Sequence, residues 1–135
     1  MKYISVIILV FILAPSIILA ACDTKGYTVV YVNGILTTKE QADLDVNKLQ
    51  DYLGYDFNSE NLVVHTGYNE SHIGGAGDLI ESASQLLGSP VSNYDRDTIL
   101  LQIYPEITTR KILLVGHSQG TFYTNEIYDY LVKNG

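Results

Sequence analysis

The chain contains few of the residues that build disulfide-bonded or metal-held scaffolds. Its 135 residues include one cysteine, one methionine, three prolines and no tryptophan. One cysteine cannot form an intramolecular disulfide, and with only three histidines the chain lacks the paired spacing of a structural zinc site. We therefore expect no disulfide framework, no bound metal and no organic cofactor.

Positive charge is also scarce. The chain has 8 lysines and arginines against 15 aspartates and glutamates, a formal net charge of -7, and its basic residues form no cluster. A phosphate backbone is a poor partner for such a surface, so nucleic-acid binding is not expected. A hydrophobic content of 47% with 17% charged residues fits one ordinary globular domain at most.

The first 22 residues, MKYISVIILVFILAPSIILAAC, have the pattern of an export signal. Lys2 stands at the head, an almost unbroken apolar run begins at Val6, and small residues precede Cys22. Residues 19–22, LAAC, resemble the bacterial lipobox. That resemblance implies that residues 1–21 are a signal peptide and that Cys22 becomes the lipidated first residue of the mature protein.

A membrane-spanning anchor is the alternative interpretation of this segment, since the apolar run could approach bilayer thickness. Pro15 and the four-residue lipobox match favour the lipoprotein. Two acyl chains would hold the protein stably on a membrane. We expect an exported protein on the outer side of the bacterial inner membrane or elsewhere in the cell envelope. Asp23, after the cysteine, resembles a signal for staying at the inner membrane.

Residues 22–135 alternate predicted strands with predicted helices. Short β-branched and aromatic runs indicate strands, and apolar residues at helical spacing indicate helices. Continuous apolar strands alternating with helices predict an α/β fold in which a parallel sheet is covered by helices on both faces. The predicted strands are residues 27–32, 62–68 and 111–115, and the predicted helices are residues 38–53, 79–87, a short one within 97–107, and 121–133.

The first predicted helix has the clearest boundary signals. Thr37 and Glu40 have capping-box spacing, and Gly54 provides the stop. The residues expected to face the sheet are Ala42, Val46, Leu49 and Leu53 in this helix, and Tyr123, Ile127 and Leu131 in the last one.

The stretch Gly116-His117-Ser118-Gln119-Gly120 falls on the turn between the third strand and the last helix. It matches the G-x-S-x-G nucleophile elbow, in which a serine sits on a very tight, strained turn. Side chains two residues before and two after the serine would collide with the neighbouring strand and helix, so glycine is needed at 116 and 120. The strand-turn-helix position makes this short pattern informative.

With these motifs placed, residues 27–133 resemble the first half of an α/β-hydrolase of the lipase and esterase kind. The resemblance is carried by residues 32–35, Val-Asn-Gly-Ile, and by the elbow. It implies that Ser118 attacks an acyl carbonyl and that the backbone amides of Gln119 and Ile35 stabilise the oxyanion. Asn33, where many lipases have histidine, would brace the loop before Gly34. The alternative is that Asn33-Gly34 is simply a turn.

The catalytic acid and histidine of such an enzyme would follow Ser118 in the chain. No histidine does so. His117 lies inside the elbow at a position that points away from the base, and His65 is expected within the second strand. His72 lies in a glycine-containing loop but precedes the serine, so its order in the chain is wrong.

The resemblance ends after the elbow helix, so we expect a partial α/β-hydrolase domain, truncated after that helix. The serine-bearing strand would have an unpaired apolar edge, which predicts a fragment or truncated product that is poorly soluble alone. The favoured function is a serine hydrolase cleaving an acyl ester or related bond through Ser118, inactive without its acid and base. Its partners would be a small-molecule or lipid acyl substrate and, through Cys22, a membrane. The alternative is a non-catalytic lipoprotein, either a binding scaffold or a decayed remnant.

Overall fold

The structure is a computed structural model that describes residues 23–70 and 93–134. The expected signal peptide, Cys22, His72 and the helix expected at residues 79–87 lie outside the described residues. In chain order the elements are β1 Asp23–Val32, α1 Lys39–Leu53, β2 Asp56–Phe57, β3 Glu60–Gly67, α2 Asn93–Ile103, β4 Thr109–Gly116 and α3 Gly120–Asn134.

The strands form a four-stranded sheet in the order β2-β3-β1-β4. The central strand β1 pairs in parallel with β3 and with β4, so that Val32 lies opposite both Gly67 and Gly116. The short strand β2 pairs antiparallel with β3. The α/β class is confirmed, but the expectation of a wholly parallel sheet is wrong because the sheet is mixed.

A tight hairpin causes the difference. Asn58 and Ser59 join β2 to β3, and both have positive φ angles, 53° and 63°. Two successive residues of positive φ are the geometry of a type I′ turn, whose twist suits two antiparallel strands. The two-residue strand it adds is too short to leave an alternating pattern in the sequence.

Helices cover both faces of the sheet, as predicted. Side chains alternate between the two faces along a strand, so neighbouring residues of β1 enter different cores. Val29 packs with Leu62 and Val64 beneath α1. Val30 and Val32 pack on the opposite face with side chains from α2 and α3, namely Ile99, Ile103, Tyr123 and Ile127. Each such fully buried aliphatic side chain contributes about 1.5–3 kcal/mol of hydrophobic stabilisation.

Helix α1 follows its prediction except at its cap. The hydroxyl of Thr38, not Thr37, accepts the Gln41 N–H at 3.2 Å and so caps the helix. Gly54 ends the helix with φ of 79°, and its N–H donates to the Gln50 carbonyl at 2.8 Å. The predicted stop is therefore confirmed, while the capping residue is one position later than expected.

The other helices differ from their predictions mainly in where they begin. Helix α2 begins at Asn93, before the expected start, and ends at Ile103, two residues before Pro105. Helix α3 buries Tyr123 and Ile127 and packs Leu131 against the same cluster. None of the helices among the described residues is long and apolar enough to cross a membrane.

Strand β4 is the last strand on its side of the described sheet. Leu113, near its middle, is 55% exposed. A groove of about 500 Å³ lies between β4 and α3 and is lined by apolar side chains that include Tyr128, Leu131 and Val132. The strand before the elbow thus has an uncovered apolar flank within the part of the chain that the structure describes.

Candidate active site

Three parallel strands end together at one edge of the sheet. Val32 of β1 lies in register with Gly67 of β3 and with Gly116 of β4. The segments that follow, residues 33–38, 68–70 and 117–119, therefore meet beyond this edge. In open α/β sheets ligands bind at the carboxyl ends of the strands.

Ser118 has an unusual backbone conformation. Its φ is 55°, in the left-handed region, and the residue is exposed. Serine rarely adopts this region, and doing so costs about 1–2 kcal/mol. The turn is held because the Gly120 N–H donates to the His117 carbonyl at 2.9 Å, and the Thr121 N–H donates to the Ser118 carbonyl at 3.1 Å. The serine is thus presented on a tight turn between β4 and α3.

The glycines on either side of this turn have no room for a side chain. A Cβ at Gly116 would lie 2.6 Å from the Thr121 Cα. A Cβ at Gly120 would overlap the Val32 carbonyl oxygen and lie 2.8 Å from the Asn33 carbonyl oxygen. Glycine at both positions lets the helix start directly against the strand ends.

The loop after β1 packs directly against the elbow. A Cβ at Gly34 would lie 2.9 Å from the Ser118 Cβ and 3.0 Å from the His117 carbonyl oxygen. The His117 N–H also donates to the Val32 carbonyl at 2.9 Å. The structure therefore brings Gly34 against Ser118, and Asn33 and Ile35 are the neighbours of Gly34 in the same loop.

Beneath the elbow lies a buried group of side-chain amides, here called the amide cluster, made by Asn33, Asn69 and Gln119. The Asn33 side chain donates to the Asn69 carbonyl at 3.0 Å, and the Asn69 N–H donates to Asn33 Oδ1 at 2.7 Å. The Asn69 side chain donates to Gln119 Oε1 at 3.3 Å. One residue from each of the three strand-end segments is thus joined to the others.

Tyr68 connects the same segment to the far end of the loop after β1. Its hydroxyl donates to the Thr37 carbonyl at 3.2 Å. Burial raises the pKa of Tyr68, and the nearby carboxylates of Glu70 and Glu40 raise it further. The Gln102 side chain on α2 donates to the Tyr68 carbonyl and accepts its N–H, both at 3.0 Å.

Sequence reasoning missed Asn69 and Gln102. The available signal for Asn69 was its position, since a polar residue directly after a buried strand lies at the site edge of a parallel sheet. Gln102 gave no signal, because its role depends on a contact between residues 34 positions apart.

The histidines have different surroundings. His117 is exposed beside Gly34. On β3, the Nδ1 of His65 lies 3.8 Å from a carboxylate oxygen of Glu106. Within residues 23–70 and 93–134, no histidine or carboxylate is hydrogen-bonded to the Ser118 hydroxyl, and no group of three His, Cys, Asp or Glu side chains could hold a metal ion. The described contacts therefore supply the serine and its surrounding amides but not a base.

Comparison of the chain with protein-family models, curated proteins and solved structures found no match. The site geometry is therefore what supports a functional proposal.

Proposed function

We propose that this chain carries the nucleophile of a serine hydrolase with an α/β-hydrolase fold, acting on an acyl ester or a related acyl bond. The observation that carries the proposal is the left-handed backbone of Ser118, φ 55°, on a turn directly between a parallel strand and a helix. Such a strained, exposed serine between two glycines is the arrangement of a nucleophile elbow.

The chemistry follows from the groups around the serine. Ser118 Oγ would form a bond to the acyl carbon while its proton passes to a base, and the carbonyl electron pair would move onto oxygen. The backbone N–H groups of Gln119 and Ile35 are proposed to donate to that oxyanion. Helix α3 begins at Gly120, two residues after the serine, so its positive N-terminal end favours the developing negative charge.

Collapse of the tetrahedral species would return the electron pair to the carbonyl and expel the protonated leaving group. Water would then release the acyl group from Ser118 by the same steps. The general base and its acid are proposed to come from residues outside the described ones.

We also propose that the protein is exported and lipidated on Cys22. The support is the export pattern of residues 1–21 and the LAAC sequence that ends at Cys22. Two acyl chains on this residue would keep the protein on the outer face of a membrane.

A fluorophosphonate probe, which phosphonylates activated serines, tests the catalytic proposal. We expect the protein purified from the cells that make it to be labelled, and Ser118→Ala to lose the label. Ser59→Ala is the matched control, because Ser59 is also an exposed serine with positive φ, 63°, but lies in the hairpin turn. It should leave labelling unchanged.

Absence of labelling of the native protein, or labelling that persists in Ser118→Ala, would contradict the hydrolase. The first result would favour the alternative, a non-catalytic lipoprotein that keeps this scaffold for binding.

A further inference from the structure

We propose that Asn69 is a positioning residue that holds the two oxyanion-hole amides in fixed relation to each other. The inference rests on the proposed function, because it concerns the same site. Asn69 is 2% exposed, lies two residues after the end of β3 at Gly67, and contacts both segments that carry the proposed donors.

The contact with Asn33 fixes the start of the loop that carries Ile35. The Asn33 side chain accepts from the Asn69 N–H at 2.7 Å and donates to the Asn69 carbonyl at 3.0 Å. It thus pairs with both backbone groups of Asn69, as a neighbouring strand would. The Asn33 amide also donates to its neighbour's carbonyl, Gly34 O, at 2.9 Å, which restricts the peptide just before Ile35.

The contact with Gln119 fixes the other donor. The Asn69 side chain donates to Gln119 Oε1 at 3.3 Å, and Gln119 is itself 2% exposed. A side chain held in a buried site leaves little freedom to the backbone that carries it. The N–H of Gln119, which the proposed mechanism uses, is thereby fixed relative to Asn69.

Asn69 is in turn held from outside the amide cluster. Gln102 on α2 binds both backbone groups of the preceding residue, Tyr68, and the Tyr68 hydroxyl donates to the Thr37 carbonyl at the end of the Ile35 loop. The loop is therefore fixed at its start by Asn69 and near its end by Tyr68. The segment after β3 acts as the common support for both donors, although it has no proposed contact with substrate.

The hydrogen bond from the Asn69 side chain to Gln119 can be removed by a substitution that leaves the backbone groups of residue 69 in place. In Asn69→Ala the pairing of the residue 69 backbone with Asn33 can persist, while Gln119 Oε1 loses a donor. Preorganised oxyanion donors are worth about 10²–10³-fold in rate. We expect displacement of one donor to slow phosphonylation of Ser118 by roughly 10- to 100-fold, because the phosphonyl oxygen occupies the same hole.

The control is Thr28→Val, which removes a different buried side-chain hydrogen bond. The Thr28 and Thr109 hydroxyls lie 2.9 Å apart, where β4 begins and away from the elbow. Thr28→Val should lower the unfolding temperature as Asn69→Ala does, but should be labelled at the wild-type rate.

A double variant shows whether Asn69 acts through Gln119. Gln119→Ala keeps the backbone N–H but removes the same side-chain bond from its other end, so the effects of the two substitutions should not add. Asn69→Ala combined with Gln119→Ala should be labelled no more slowly than the slower single variant. If Asn69→Ala fails to unfold cooperatively, Gln119→Ala alone takes its place in the comparison with Thr28→Val.

The outcomes separate the two proposals. Wild-type protein that is not labelled contradicts the hydrolase itself. If the wild-type protein is labelled, two results overturn only the positioning role of Asn69. One is that Asn69→Ala and Gln119→Ala are labelled at the wild-type rate. The other is that labelling of Thr28→Val is slowed as much as that of Asn69→Ala.

Discussion

At the scale of single residues, the most informative feature is the backbone of Ser118. The serine occupies the left-handed region with φ of 55°, at a turn where its neighbours Gly116 and Gly120 have no space for a Cβ. A non-glycine residue held in such a conformation is destabilising locally, and such strain persists where the surrounding structure fixes it. Stability is therefore lost at the position where the proposed chemistry needs a serine.

This strain predicts an order of stability among variants of Ser118. Ser118→Gly should be more stable than Ser118→Ala by roughly 0.5–1 kcal/mol, because glycine adopts positive φ freely while alanine keeps the strain. This gain in stability is partly offset because glycine also has more conformational freedom than alanine in the unfolded chain. Denaturant unfolding of the two variants measures the difference, and an equal or lower stability for Ser118→Gly would show that the turn is not strained.

The residues of the elbow were predictable from sequence because their chemistry is local. Gly116, Ser118 and Gly120 lie within five positions, and the adjacent strand and helix follow from apolar spacing. Asn69 was not predictable in the same way. Its partners Asn33 and Gln119 are 36 and 50 positions away, so its role exists only once the strands have paired.

At the scale of elements, the carboxylate of Glu60, at the start of β3, links β3 to the two strands that lie parallel to it in the sheet, β1 and β4. Its carboxylate accepts the Gly26 N–H of β1 at 2.6 Å and the Lys111 Nζ of β4 at 2.7 Å. The hydrogen bond from Lys111, followed by the one from Gly26, holds the pKa of Glu60 below its ordinary value. The ionised form of Glu60 is thus favoured by the folded state.

These hydrogen bonds of the Glu60 carboxylate predict a pH-dependent contribution to the free energy of unfolding. Because the pKa of Glu60 is lower in the folded than in the unfolded chain, its contribution is present above the ordinary value of 4.5 and is lost as the pH falls through the folded value. Glu60→Gln should therefore be less stable than wild type near pH 7, and the difference should shrink below about pH 4.5. Thermal unfolding of both proteins across pH 3–7 measures this difference in stability. A difference that does not change with pH would argue against a stabilising role of the ionised Glu60 carboxylate.

The elements themselves were mostly predictable, and the exceptions have physical causes. Helix α1 was recognisable because Gly54 and the face containing Ala42 and Leu49 give clear signals. Strand β2 was not, because a two-residue strand depends on the positive φ angles of Asn58 and Ser59 and not on hydrophobic alternation. The mixed character of the sheet follows from that one turn.

At the scale of the whole molecule, the flank of β4 that no other described residue covers should drive association. Leu113 is 55% exposed and borders the groove formed with Tyr128 and Val132. We predict that Leu113→Lys lowers concentration-dependent self-association, since a lysine on an edge strand opposes strand addition. Sedimentation velocity of the detergent-solubilised protein measures it.

The control for this prediction is Leu101→Lys, at an even more exposed leucine of α2, where 76% of the residue is accessible. Both substitutions add one positive charge, so a general effect of charge would change both proteins equally. Equal association of the two variants would show that the β4 flank is not the contact surface.

The start of β1 has a consequence for where the site stands above a membrane. From Asp23, the first described residue and the one after the proposed lipid-bearing Cys22, β1 runs for ten residues to Val32 at the edge where Ser118 lies. At about 3.3 Å per residue, β1 places roughly 30 Å between Asp23 and the reaction edge. A lipid on Cys22, as proposed, would therefore lie at the end of β1 opposite to the serine. The proposed reaction edge and the proposed membrane attachment thus occupy opposite ends of the central strand.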